Sequence, residues 1–269
     1  MATAAAAAVR DEIAATGGRA VVSTHDVSDP GQAKDIIDTA ISEFGGIHLV
    51  VSNAGIISSH TFDELTVTEF ERVMRVNAFG SFNVVHAAWP HLMAQKFGRV
   101  VVVTSSTVWV PQVGIAHYAA SKGAVLGMGT TIAHEGAAHG ITVNMLAPGA
   151  FTAMAGELPP EARRLSELIQ SPALVSPVVC WLLRKENTLN GKIIEASSGR
   201  AAINFVGSGR GYWKKDLTID DLVAHADEVL LEAGYAIIED TTRLVSWMTT
   251  ETTRWANEPE VGGSALPGH

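Results

Sequence analysis

Cysteine is nearly absent: Cys180 is the only one in 269 residues. One thiol closes no internal disulfide, so burial and hydrogen bonding must hold the fold, and a reducing cytoplasm suits the chain. Set in the apolar run VVCWLL, Cys180 is expected to be buried and inert. Basic runs are lacking too. No Lys/Arg run exceeds two residues and the net charge is −9, which argues against nucleic acid as a partner because phosphates need a basic face. No apolar stretch reads as the roughly 18 residues of a membrane span. Arg10-Asp11-Glu12 interrupts the N-terminal alanines too early for the apolar core of a signal peptide. The ten histidines show no HExxH or other ligand spacing, so no metal site is expected, and His134 and His139 read as solvated helix residues.

What is present is an alternation. Hydrophobic residues make up 47% and charged residues 17% of the chain, a globular composition with enough material for one large α/β domain. The alanine-rich start reads as a helix stopped at Gly17 or Gly18. RAVVSTHDV then reads as a strand ending near Asp26. In SDPGQAKDIIDTAISEF, Asp29 is a candidate N-cap with Pro30 at the first helical position. Ile36, Ile37, Ala40, Ile41 and Phe44 follow on one face. IHLVVS reads as a strand before a tight NAG turn, and Thr66 stands at capping-box spacing from Glu69. GRVVVVTS is a β-branched run suited to burial on both faces. A small-residue helix (YAASKGAVLGMGTTIAHEGAAHG), the strand ITVNMLAPG, the helix SPVVCWLL and the strand KIIEAS complete the rhythm. Such βαβα order indicates a parallel sheet with helices on both faces. The domain is expected to span 1–212, with 213–269 a helical extension capped at Thr218 with Asp221, and a frayed tail.

The chemistry-bearing stretch is SSTVWVPQVGIAHYAASK, which sets Ser105, Tyr118 and Lys122 at separations of 13 and 4. Residues four apart on a helix project from one face. A tyrosine with a pKa near 10 is a poor base at neutral pH, and a nearby ammonium is expected to lower it. Tyr118 could then take a proton from an alcohol or give one to a carbonyl, with Ser105 bonding the same oxygen. Tyr-x-x-x-Lys alone is common on amphipathic helices, so the argument rests on what accompanies it.

The accompanying motifs resemble those of the short-chain dehydrogenase/reductase family over roughly residues 2–200. They are NAG at Asn53, Ala54 and Gly55, Asn77 in RVNAFG, the Ser105–Tyr118–Lys122 set, and APG ending in Pro148 and Gly149. Asp26-Val27 is similar to that family's adenine-contacting pair. A narrower resemblance, carried by SPVVCWLLRKENTLNGKIIEASSGR and GSGRGYW, is to the (3R)-hydroxyacyl-CoA dehydrogenase unit of type 2 multifunctional β-oxidation enzymes. The resemblance implies NAD or NADP as cofactor and a secondary alcohol, ketone or acyl-CoA as substrate. It implies Tyr118 as acid/base, Lys122 on the nicotinamide ribose, Ser105 orienting substrate and Asn77 holding a relay water. It implies Thr152 as a carboxamide contact, although Thr152 stands one residue nearer Gly149 than in many members. A homodimer or homotetramer built through the helices around 67–96 and 118–138 is also implied.

Against the same family, a TGxxxGxG turn between strand and helix is lacking. The first 52 residues hold only Gly17, Gly18, Gly31, Gly45 and Gly46, and TGG at 16–18 leads into a strand rather than a helix. That turn's backbone N–H groups would cradle a pyrophosphate. The expected fold is therefore a Rossmann-like doubly wound parallel sheet, N-terminally truncated by its first two strands, with a helical C-terminal extension. Apolar strand edges should be left open, or the strands at 20–24 and 47–52 should pair directly. Two functions stay open: an oxidoreductase, or a non-catalytic binding or assembly protein that keeps the family's dimer surface. GSGRG at 207–211 does not follow a strand into a helix, and Lys214-Lys215 reads as a solvated pair rather than a CoA-phosphate site.

Overall fold

The computed structural model describes residues 2–152, 160–238 and 240–257. The tail expected at 258–269 lies outside them. The chain divides into two compact units, 1–204 and 205–269.

The first unit opens with α1 (Ala2–Ala15) and α2 (Pro30–Phe44), followed by β1 (Leu49–Ser52) and α3 (Val67–Met74). A π-helical turn, Arg75–Phe79, joins α3 to α4 (Gly80–Gln95). Then come β2 (Gly98–Val103), α5 (Ala116–Ala137), β3 (Ile141–Gly149), α6 (Pro160–Ile169), α7 (Ser176–Leu183), β4 (Ile193–Ser197) and β5 (Arg200–Asn204). The sheet order is β1-β2-β3-β4-β5; the first four strands run parallel and β5 returns antiparallel to β4. This is the α/β class with a mostly parallel sheet.

Alternation along β2 feeds two cores, since successive side chains leave opposite faces of a strand. Val100 and Val102 pack with Ile37 of α2, Val85 and Leu92 of α4, and Val125 of α5. Val101 and Val103 pack with Leu182 of α7 and with Leu146, Ile194 and Ala196 of the sheet. Every residue of β2 is buried, as its β-branched run required. At the foot of β2, the buried Arg99 guanidinium donates to four backbone carbonyls, at Gly98, Gly140, Arg184 and Lys185. The helix caps follow their sequence signals. The Asp29 side chain accepts from Gln32 N, and Thr66 accepts from Glu69 N.

Three expectations are corrected. Residues 18–26 form no strand and are mostly exposed. They do not pair with β1, whose pairing is with β2. A β-rich run without a hydrogen-bonding neighbour gains nothing from being a strand, and Leu49 and Val51 of β1 are 48% and 43% exposed beside that open edge. Cys180 is exposed, because α7 turns Val178, Val179, Leu182 and Leu183 to the core and leaves Cys180 and Trp181 on the opposite side. Residues 166–183 do reach a mean hydropathy of 1.3 over an 18-residue window, but they are broken into α6, a 3-10 turn at Pro172–Leu174, and α7.

The second unit holds a two-stranded antiparallel sheet, β6 (Gly207–Ser208) with β7 (Ala236–Ile237). Its helices are α8 (Ile219–Ala224), α9 (Ala226–Val229) and α10 (Thr241–Asn257). Thr218 and Asp221 form the reciprocal capping box at α8. Lys214 is ion-paired with Asp221 at 2.6 Å.

Candidate active site

Parallel strands put all their carboxyl ends on one edge, and loops leaving that edge line the crevice of an α/β sheet. Asn53, Ala54 and Gly55 follow β1 directly, Ser105 lies two residues beyond β2, and Pro148 and Gly149 close β3. Tyr118 and Lys122 sit in the first two turns of α5.

Ser105 is 9% exposed and caps the short 3-10 turn Ser106–Val108, accepting from Thr107 N at 3.2 Å and from the Thr107 hydroxyl at 3.0 Å. Its hydroxyl lies close enough to the Tyr118 phenol to favour the phenolate. Lys122 is 3% exposed. Its Nζ donates to Val103 O at 2.8 Å, and its own carbonyl accepts the Thr104 hydroxyl at 2.9 Å. The end of β2 thus grips Lys122 at both its backbone and its head. Burial pulls the Lys122 ammonium down to about 8.

The expected lowering of Tyr118 by Lys122 does not appear, and the phenol shifts the other way. Burial raises the Tyr118 phenol, and only the nearby Ser105 hydroxyl opposes that rise. Lys122 Nζ lies 5.7 Å from the Tyr118 ring centre and spends a proton on Val103 O instead. In this arrangement the Tyr118 phenol stays protonated near neutrality.

Asn77 sits fully buried within the π-helical turn. Its Oδ1 accepts from Ile56 N at 2.8 Å, and its Nδ2 donates to Ile56 O and to Ser121 Oγ, both at 3.0 Å. Both amide protons are used on protein, and the Asn77 carbonyl accepts the Ser81 hydroxyl. The Ser121 hydroxyl in turn donates to Tyr118 O at 2.7 Å. A chain of hydrogen bonds therefore runs from the loop after NAG, through Asn77 and Ser121, to the backbone of Tyr118. A Cβ at Gly55 would come 3.2 Å from Asn77 Oδ1 and 3.6 Å from Lys122 Nζ. Glycine here keeps open a polar cradle beside the lysine, of the kind a nicotinamide ribose would need. At the N-terminus of α2 the Asp29 carboxylate is taken up by the cap, accepting from Gln32 N.

The remaining sequence candidates fall nearby or outside. Asp26 is exposed, and its carboxylate, accepting from Ser28 N at 2.8 Å, is held below its usual range by that bond. Val27 is half-buried and its carbonyl accepts from Asn83 of α4 at 3.0 Å, which fastens this turn to the helix following Asn77. Thr152 is exposed at the edge of the described residues; its neighbours 153–159 lie outside them.

Sequence reasoning missed a second cluster. His117 is fully buried, and its Nε2 lies 2.9 Å from Ser58 Oγ. Ser58 also bonds Glu69 Oε1, and Glu69 holds Arg72 through two bonds of 2.7 and 2.8 Å. Only its adjacency to Tyr118 marked His117; Glu69 was marked by spacing only as the capping-box partner of Thr66, and nothing singled out Ser58.

A Rossmann-like sheet with serine, tyrosine, lysine and asparagine gathered at its carboxyl edge defines a class of dehydrogenases. The family model for short chain dehydrogenase matches residues 1–162. A short-chain type dehydrogenase/reductase of Mycobacterium tuberculosis is 36% identical over 241 residues, covering 87% of this chain and 83% of that one. The peroxisomal hydratase-dehydrogenase-epimerase of Saccharomyces cerevisiae is 36% identical over 192 residues, 71% of this chain but 21% of that larger protein. The solved full-length peroxisomal multifunctional enzyme type 2 of Drosophila melanogaster superposes with a TM-score of 0.78 at 26% identity, covering 93% of this chain and 44% of that one. The chain belongs to the short-chain dehydrogenase family, a family of oxidoreductases, and is similar to part of the peroxisomal multifunctional enzymes type 2.

Proposed function

We propose that the protein interconverts a secondary alcohol and a ketone, with a 3-hydroxyacyl thioester such as a hydroxyacyl-CoA as substrate and NAD or NADP as cofactor. The observation carrying this reading is the meeting of Ser105, Tyr118 and Lys122 beside the Gly55 cradle. The similarity to multifunctional type 2 enzymes supports the thioester.

The nicotinamide would exchange a hydride with the carbinol carbon. The chain's own groups handle the oxygen. In the reducing direction Tyr118, a protonated phenol, donates its proton to the carbonyl oxygen while Ser105 bonds that oxygen. In the oxidising direction Tyr118 must accept the hydroxyl proton, which requires Lys122 to release Val103 O and stabilise the phenolate. Lys122 has a second task, binding the ribose hydroxyls. Asn77 holds the NAG loop against α5 through Ile56 and Ser121, alongside any water it orders through the family's relay. Asp26 and Val27 are assigned to the adenine end, Asn53, Ala54 and Gly55 with Pro148 and Gly149 to the nicotinamide end, and Thr152 to the carboxamide. The chemistry is assigned within residues 1–212, with 213–269 an extension. An apolar groove between α4 and α5, lined by Phe82, His86, Trp89, Met128 and Ile132, supports a homo-oligomer formed through those helices. One exposed thiol suits either a reducing cytoplasm or the peroxisome of the relatives' names.

Titration with NADH and NADPH, followed by nicotinamide fluorescence, tests the cofactor, and reduction of a 3-ketoacyl-CoA tests the chemistry. Tyr118→Phe should lower turnover by roughly 10²- to 10⁴-fold, the range for a positioned acid, without altering nucleotide affinity. Failure of the unmodified chain to bind either nucleotide would favour the binding or assembly reading.

A further inference from the structure

The cluster beside Tyr118 has a definite proton arrangement. Glu69 is held down to about 2, first by its hydrogen bond from Arg72 and next by that from Ser58. Near neutrality it is an acceptor only, so the single Ser58 proton goes to Glu69 Oε1. Ser58 Oγ must then accept at 2.9 Å from His117, which places the imidazole proton on Nε2. His117 Nδ1 is consequently a bare lone pair, and it is buried with no partner among the described residues. A second proton on the ring would create a buried N–H with nothing to receive it. Burial keeps the imidazole neutral, with the carboxylate of Glu69 opposing that effect and the charges of Arg72 and the His60 ring reinforcing it.

The cluster is also a clasp. Ser58 follows the Asn53–Gly55 turn by three residues, and His117 immediately precedes Tyr118. A second tie lies alongside, where His60 N donates to Gly114 O at 2.8 Å. Gly114 has φ +87, and a Cβ there would meet Ser59 Oγ at 2.8 Å, so the two loops approach at a position only glycine tolerates. The loop after β1 is thus fastened to the start of α5 both by Asn77, at Ile56, and by the relay Arg72–Glu69–Ser58–His117, at Ser58.

We infer that His117 is a positioning residue: through Ser58 and Glu69 it holds the NAG loop in register with Tyr118, and it does so only as the neutral Nε2–H tautomer. This rests on the proposed oxidoreductase function and deepens it. An uncharged, fully partnered Ser58 edge sets how closely the nicotinamide end can approach Tyr118, so disturbing it affects cofactor binding and turnover together. Acid is expected to undo the clasp, because a protonated His117 has no acceptor for its new N–H among the described residues.

The test uses the full chain. Ser58→Ala and His117→Leu should raise the KM for the nicotinamide cofactor by roughly tenfold, about the worth of one hydrogen bond lost from a partly buried pair. His117→Gln carries an amide donor at the reach of Nε2 and should restore most of that loss. It should also remove the fall in activity below the ordinary histidine pKa of about 6.5. In parallel, nitrogen NMR of the histidine rings should show one imidazole protonated at Nε2 alone at neutral pH, its signal lost in His117→Gln and displaced in Ser58→Ala. A charged ring or an Nδ1–H tautomer at that position overturns the inference. So does an unchanged KM in both Ser58→Ala and His117→Leu while the unmodified chain binds nucleotide. If the unmodified chain binds no nucleotide, the proposed function fails first and the positioning role with it, whatever tautomer the ring adopts.

Discussion

Two stretches of this chain are nearly the same word. Arg19–Thr24 reads RAVVST and Arg99–Thr104 reads RVVVVT. Each starts on an arginine, runs through β-branched residues and ends on a threonine, and propensity rates both as strands. The second is the buried centre of the sheet, paired with β1 on one side and β3 on the other. The first is no strand at all, and Val21 is 42% exposed. Even the arginines differ: Arg99 serves four buried carbonyls, whereas Arg19 reaches one exposed carbonyl, at Glu43, and rests over the Phe44 ring. The threonines differ in the same way. The Thr104 hydroxyl holds the backbone of Lys122, whereas Thr24 is exposed. A β-rich run becomes a strand when a neighbour satisfies its backbone and both faces are covered. Without them the same residues remain an extended loop.

The contrast makes measurable demands. The largest falls on the buried valines. Val102→Asp places an unpaired carboxylate in the core, which should cost about 4 kcal/mol or more and abolish cooperative unfolding in urea. Val21→Asp, at the matching word, should shift the midpoint by less than about 0.5 kcal/mol. Equal losses would mean that residues 19–24 are ordered as a strand in solution.

Next in size is a pH effect at the top of β2. Lys122 is depressed to about 8 in the folded chain, against about 10.4 when unfolded. Between these values the unfolded state binds more protons, so stability should rise with pH from about 8 towards 10, by up to about 3 kcal/mol. Above pH 10 the raised Tyr118 acts in the opposite sense, because the unfolded tyrosine then loses its proton first. Urea midpoints across this range should show the rise in the unmodified chain and lack it in Lys122→Met. A flat curve for both would mean that the Lys122 head is solvated.

The arginines give the smallest pair. Arg99→Ala strands several buried carbonyls and should cost about 2 kcal/mol. Arg19→Ala, losing an exposed contact, should cost at most about 0.5 kcal/mol. A comparable loss at both would erase the distinction between the two words.

The helices and the inner sheet were legible because their signals are local. Asp29 and Pro30 announced the start of α2, Thr66 that of α3 and Thr218 that of α8, and the structure caps each helix there. Ser105, Tyr118 and Lys122 were singled out by the motifs that accompany them, NAG, Asn77 and APG, and the structure sets Ser105 just beyond β2 with Tyr118 and Lys122 at the start of α5. The sign of the Tyr118 shift could not be found that way, because it depends on whether Lys122 bonds the phenol or Val103 O, and no spacing says which. Cys180 was misjudged for a related reason. Its neighbours are apolar, yet only the docking of α7 on the sheet decides which face is wet.

His117 is the clearest case of what a sequence cannot disclose. Its partners Ser58 and Glu69 lie 59 and 48 residues away in the chain, and no periodicity links them. By itself the sequence determined the class of fold, the order of most elements from α2 onward, the helix starts and the types of residue available for proton transfer, because each follows from propensity and spacing within about twenty residues. Tertiary structure alone decided which β-rich run became a strand, which hydroxyl meets which imidazole, and where the lysine spends its proton. Those outcomes depend on burial and on hydrogen-bond partners brought together from distant parts of the chain.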